Sequence, residues 1–165
     1  MQKSLRTSSS ERLAQAAAFF MQDEFVMDRA MACRSEEDVR KLFCIEASDY
    51  WRTHHIPGTA GDESPKRLGT FKANIIGINL VAVLQYTYGS YTGNERLRDC
   101  SLALLERLAA EDNRYMRDWR ASGIAPRNAF ESQALLQLAT EYCAAKRCEE
   151  CPVGRRILRS LGETQ

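Results

Sequence analysis

From Asn74 to Tyr86 the chain reads NIIGINLVAVLQY, its longest apolar run. A segment this rich in Ile, Val and Leu has to be buried, and the place where it is buried decides the fold. It is too short to cross a hydrocarbon layer of about 30 Å, and Asn74, Asn79 and Gln85 interrupt it with amides. Its β-branched residues favour a strand. The stretch from 70 to 91 is nevertheless near twenty residues long, which is long for a strand and ordinary for a helix. A helix that is apolar nearly all round is a central one. The expectation is a core helix over 70–91 with amphipathic helices packed around it.

The flanking sequence carries helix signals in the right places. SSERLAQAAAFFMQ opens with Ser8 and Glu11 at capping-box spacing. RSEEDVRKLFCIEASDYW offers Ser35 as an N-cap and three acids at the positive end of the dipole, and it sets Val39, Leu42, Phe43 and Glu46 on successive turns. Asn94 precedes ERLRDCSLALLERLAA, in which Leu97, Cys100 or Ser101, Leu104 and Leu108 make a stripe at helical spacing. NRYMRDWRASG is a shorter helix ended by Gly123, NAFESQALLQLATEYC is another, and Pro152 starts a last one, PVGRRILRSL. Between them HIPGTAGDESPKR, residues 55–67, is the main internal loop, with two prolines and two glycines. No stretch alternates with period two over strand length, and no repeat of twenty residues or more is present. The fold class expected is all-α: one irregular bundle of about seven helices spanning 1–165, frayed over 1–10, with a cysteine knuckle and final helix at 143–165.

Charge narrows the partners. Lys and Arg number 23 against 22 Asp and Glu, a net +1, so bulk charge draws this chain to neither nucleic acid nor membrane, and only a local patch could do so. LAQAAAFFMQ, residues 13–22, is apolar, but Glu11, Arg12, Gln15, Asp23 and Glu24 deny it the core of an export signal. The expected compartment is therefore the reducing cytoplasm. There, six cysteines bind metal or pack in the core more often than they form disulfides.

Three of the six fall within nine residues, in YCAAKRCEECPVG. The spacing CxxxxCxxCP puts Cys143 in the last turn of a helix, Cys148 on the turn after it and Cys151 directly before a proline-started helix. Three sulfurs so placed are suited to converge on a zinc ion or on the corner of an iron–sulfur cluster. The fourth ligand has to come from elsewhere. His54 in YWRTHH is the first choice, since a neutral imidazole completes a Cys3His set, and His55, Cys100, Cys44 and Cys33 are the other candidates. The competing reading makes the thiols packing residues, and for Cys33, Cys44 and Cys100 it is the preferred one. CAAKRCEECPV is similar to the cluster loop of the endonuclease III type of DNA glycosylase. That family spaces its first two ligands two residues further apart and has a fourth cysteine where this chain has Ile157, so its activity is not carried over.

No catalytic residue is assigned. GxSxG, GxxxxGKS and HExxH are all absent, and Ser48, Asp49 and His54 form a triad only on paper. In NRYMRDWRASGIAPR, Arg114, Arg117, Arg120 and Arg127 stand beside Tyr115 and Trp119, a mixture of cations and rings that suits nucleic acid. A helix that buries Tyr115, Met116 and Trp119 and solvates its arginines explains the same pattern and is preferred. Tyr50 and Trp51 are likewise expected to anchor a helix end.

Five pieces, ERLAQAAAFF, ASDYWRTHH, RLGTFKANIIGINLVAVLQYTYG, LLERLAAEDN and NAFESQALLQLATEYCAAKRCEECPVG, together resemble a bacterial family, domain of unknown function family 2851. The family has no assigned activity. The resemblance implies a match to the C-terminal helical half of longer members, whose N-terminal half looks like a nuclease-type α/β region. The reading that follows is a non-catalytic helical scaffold with a structural zinc or iron–sulfur site, serving a protein partner or the N-terminal half. A nucleic-acid accessory domain using the Arg114 to Arg127 segment is the alternative, and no membrane partner is expected.

Overall fold

A computed structural model describes residues 9–22, 25–64 and 67–162. Ser8 as a capping residue, and residues 1–8 of the segment 1–10 expected to be frayed, lie outside the described residues, while Ser9 and Ser10 already belong to the first helix. The chain divides into two compact units, Met1–Leu104 and Leu105–Gln165.

In the first unit, α1 (Ser9–Gln22), α2 (Val26–Ala32) and α3 (Glu36–Phe43) precede a 3-10 turn, Asp49–Arg52. A hairpin follows, β1 (His54–Ile56) and β2 (Thr59–Ala60), then α4 (Thr70–Ile76), a π-helical segment, Gly77–Ala82, and α5 (Val83–Thr92). α6 (Glu95–Arg107) leads out of the unit. The fold is mostly α, as expected, and residues 70–92 form one unbroken helical rod with a π segment at its middle. Ala73, Ile78, Val81 and Ala82 of that rod are buried, together with Val39, Leu42 and Phe43 of α3.

Local chemistry explains the boundaries. Ser35 caps α3, its hydroxyl accepting from the Asp38 N–H at 3.2 Å, while the Asp38 carboxylate accepts from the Arg34 N–H at 2.9 Å. These donors, the Arg34 amide foremost and the Ser35 hydroxyl next, hold the Asp38 carboxyl below the ordinary aspartate range. Asn94 caps α6 through the Leu97 N–H at 3.1 Å. Gly93, at φ 69°, ends α5 in the left-handed conformation that favours glycine.

Two elements differ from expectation. The loop over 55–67 contains a short antiparallel hairpin, His54 opposite Ala60 and Ile56 opposite Thr59, turning at Gly58 with φ 76°. Strands of three and two residues are too short to show alternation, which is why only the turn residues were legible. α2 is seven residues long and buries only Ala30, too little for a periodic stripe.

The second unit holds α7 (Arg114–Ala121), α8 (Ala129–Gln137), a π-helical segment, Leu138–Cys143, and α9 (Pro152–Gly162). Asparagines cap both inner helices: Asn113 accepts from the Met116 N–H at 3.1 Å and Asn128 from the Glu131 N–H at 3.0 Å. Gly123, at φ 84°, follows the end of α7, and Pro152 begins α9, both as expected. The start of α8 is strapped to the chain that precedes α7. The Ala129 N–H donates to the Leu108 carbonyl at 2.9 Å, and the Ser132 hydroxyl accepts from the Glu111 N–H at 3.2 Å. Leu108, Met116, Ala129 and Ser132 are buried around these straps.

Candidate functional site

The stretch proposed as a cysteine knuckle runs from the end of the second unit's π segment through a turn into α9. Cys143 ends the π segment, and its carbonyl accepts from the Lys146 N–H at 3.1 Å, while the Tyr142 carbonyl accepts from the Arg147 N–H at 2.9 Å. Lys146, at φ 53°, reverses the chain. The Cys151 N–H then donates to the Arg147 carbonyl at 3.1 Å, and the Arg155 N–H to the Cys151 carbonyl at 2.9 Å, opening α9. Arg147 also pairs with Glu150. Gly154 lies so close to the turn that a Cβ there would stand 2.3 Å from the Cys148 carbonyl oxygen.

The sulfurs are not gathered on one point. Cys143 and Cys148 are exposed, whereas Cys151 is buried, its Sγ accepting from the Gly154 N–H at 3.5 Å. Among the described residues, no three His, Cys, Asp or Glu side chains are grouped so as to hold a metal ion. The thiols as arranged do not form a ready ion site.

His54, the first-choice fourth ligand, belongs to the first unit. Its ring stacks on Tyr50 with centroids 4.0 Å apart, and its Nδ1 lies 2.8 Å from the Tyr50 carbonyl and 3.0 Å from the Thr53 hydroxyl. Packing within YWRTHH accounts for that ring. Cys33 is buried, and desolvation foremost, with the nearby Asp38 carboxylate adding to it, pushes its thiol up to about 11. Such a thiol is inert packing. Cys44 and Cys100 are half-buried.

The neighbouring His55 makes a contact that spacing could not disclose. Its Nδ1 lies 2.7 Å from Oε1 of Glu11, which is buried on α1, 44 residues away. A carboxylate on one ring nitrogen fixes the orientation of the imidazole. Gly61 sits against the other edge of the ring, where a Cβ would stand 3.3 Å from Cδ2. The pair fastens α1 to the hairpin.

The arginine segment carries less available charge than its sequence suggests. Arg120 pairs with Asp112 at 3.0 Å, Arg117 approaches the same carboxylate at 3.8 Å, and Arg127 pairs with Glu131. Arg114 lies over the Tyr115 ring, 4.7 Å from its centroid, and donates to the Tyr115 hydroxyl at 2.8 Å. Met116 is buried, and half-buried Trp119 donates its indole N–H to the Leu135 carbonyl at 3.1 Å. These contacts are those of a packed helix with solvated arginines.

A groove of about 650 Å³ lies in the first unit, between α1 and the central rod. Phe19, Phe43, Ile75, Ile76 and Leu80 line it, and Phe19 stacks on Phe43 with centroids 5.1 Å apart. Arg12 and Lys72 are its cationic members. The π segment supplies Leu80, and wide turns of this kind recur where helices present functional side chains. Phe20, on the same groove, is 72 % exposed and Leu80 52 % exposed.

No curated protein and no solved structure matches the chain. The profile of the family described as Protein of unknown function (DUF2851) matches residues 8–114, about two thirds of the 165-residue sequence. The matched stretch takes in the groove, the YWRTHH turn and the Glu11–His55 pair, and it stops before the knuckle. By that match the chain belongs to the DUF2851 family of proteins of unknown function.

Proposed function

We propose that the chain is a non-catalytic helical interaction domain that holds a protein partner on the first unit. The observation that supports this reading is the apolar groove with exposed Phe20 and Leu80 on its walls, since apolar side chains left in water on one concave surface mark an interaction site. The partner is the nuclease-like region that the family resemblance assigns to longer members. It would bring apolar side chains to the groove and a carboxylate to Arg12. Co-expression with that region is expected to give a complex that survives gel filtration, and Phe20→Glu or Leu80→Glu is expected to weaken it at least about tenfold. Both positions are exposed, so the variants keep their fold. Failure to associate, or full binding by both variants, rules the reading out.

A second reading concerns the knuckle: Cys143, Cys148 and Cys151 as ligands of a zinc ion or an iron–sulfur cluster. What favours it is a short loop carrying all three residues, closed by Gly154 against Cys148. Binding would turn the exposed thiols toward the buried one, and its free energy would add to the folding of the last helix. Elemental analysis and a visible spectrum of protein purified without oxygen test this. One zinc per colourless chain, or a brown chain with iron and sulfide, is the expected result; a folded chain without metal overturns it.

A further inference from the structure

The near-neutral charge of the whole chain conceals an uneven distribution. α9 carries Arg155, Arg156 and Arg159, with no acid between Pro152 and Ser160. Among the described residues none of these three has a carboxylate partner, whereas Arg120, Arg127 and Arg147 each have one. At about 100° per residue the three fall on one side of the helix.

The opposite side is apolar. Val153 and Ile157 are one turn apart with Leu158 beside them, and they are 51 %, 54 % and 50 % exposed. The first turn of α9 is held by Gly154 on Cys148, and beyond it residues 155–160 are all exposed. An 11-residue helix with no packed face is marginal in water, so this one lacks a covering surface.

Nucleic acid would engage the arginines and leave the three aliphatic side chains wet. An anionic bilayer satisfies both sides at once. On the helical wheel Arg156 borders Val153 and Arg155 borders Leu158, each roughly 60° away, so long guanidinium side chains flank the apolar sector and reach lipid phosphates as the aliphatics enter the acyl boundary. We propose that α9 is an interfacial helix that seats this chain on an anionic lipid surface, with Arg155, Arg156 and Arg159 on phosphates and Val153, Ile157 and Leu158 facing the acyl region. No helix among the described residues is long and apolar enough to cross a membrane, so the attachment is peripheral. With three cations and three aliphatics it is also reversible and sensitive to salt.

Sedimentation of the full chain with phosphatidylglycerol/phosphatidylcholine vesicles, compared with phosphatidylcholine alone, tests the assignment. Binding is expected to the anionic vesicles only and to weaken about tenfold or more in 0.5 M salt. Arg155→Ala, Arg156→Ala and Arg159→Ala combined are expected to weaken it about a hundredfold, while lysine at the same three positions keeps it within about threefold. Ile157→Asp is expected to cost at least about tenfold. Absence of binding to anionic vesicles overturns the proposal, as does loss of binding in the triple-lysine chain. Unchanged binding by Ile157→Asp, with equal affinity for duplex DNA, also overturns it, because the arginines would then be a plain polyanion site.

Discussion

Gln85→Glu is expected to fold at pH 4.5 and to lose most of its stability as the solution is brought to pH 8. Gln85 lies on α5, fully buried, and its Nε2 donates to the Ala30 carbonyl at 2.7 Å and to the Cys33 carbonyl at 3.0 Å. Those carbonyls belong to the end of α2, where the Cys33 N–H also donates to the Ala30 carbonyl at 3.3 Å and Arg34 Nη1 to the Cys33 carbonyl at 2.7 Å. An ionised glutamate would set carboxylate oxygens against two carbonyl oxygens in the core, whereas a protonated one still donates a single hydrogen bond. Burial would thus raise the folded-state pKa from about 4.3 toward roughly 8. Between those values the folded chain keeps a proton that the unfolded chain has released. Stability is then full below the unfolded pKa and falls as pH rises through the folded one. At about 1.4 kcal/mol per unit the loss approaches 4 to 5 kcal/mol, a large share of the 5 to 15 kcal/mol typical of a domain. Urea midpoints at pH 4.5, 6 and 8 check this. A variant that tracks the parent protein across that range would mean that the amide at position 85 donates nothing the fold needs.

That glutamine also marks where sequence reasoning stopped. In NIIGINLVAVLQY it reads as an amide that argues against a membrane span; nothing in the run shows that it faces two helix-end carbonyls. The helix boundaries were legible because their causes are local. Ser35, Asn94, Asn113 and Asn128 each stand within three residues of the amide they cap. Of the three residues expected to be buried in the arginine helix, Met116 is, whereas Tyr115 and Trp119 are half-buried. The Glu11–His55 pair was not legible, since 44 residues separate its members and neither position has a local signature. The groove was hidden for a related reason: it needs Phe19 of α1, Phe43 of α3 and Leu80 of the π segment in one place, and a wide turn re-aims Leu80 in a way that a 3.6-residue period does not foretell. In the knuckle, spacing gave the backbone positions of three cysteines and could not give the directions of their sulfurs.

Gly154→Ala gives the second large effect, and its sign opposes the usual rule. Alanine in place of an ordinary helical glycine stabilises by about 1 kcal/mol, because it costs less backbone entropy and favours the helix. At position 154 the added Cβ would stand 2.3 Å from the Cys148 carbonyl oxygen, 3.0 Å from its carbonyl carbon and 3.1 Å from its Cα. All three atoms are backbone, so no flexible side chain can swing aside. The turn they belong to is closed by the hydrogen bonds from Cys151 to Arg147 and from Arg155 to Cys151, and relief of the clash has to stretch those bonds. Overpacking of this kind costs about 1 to 3 kcal/mol, borne here by the contact that seats the first turn of α9. The expected result is local: amides of residues 151–156 lose protection from hydrogen exchange by up to about a hundredfold, and Cys151 becomes reactive to thiol reagents in the native state, as buried thiols do when uncovered. Amides of α3 and α6 are expected to exchange at the parent rate. Equal loss in α3 and α6 would mean that the knuckle supports the fold as a whole. No loss at 151–156 would mean that α9 does not rest on the turn at all, and the compact loop that favours metal binding would have no physical basis.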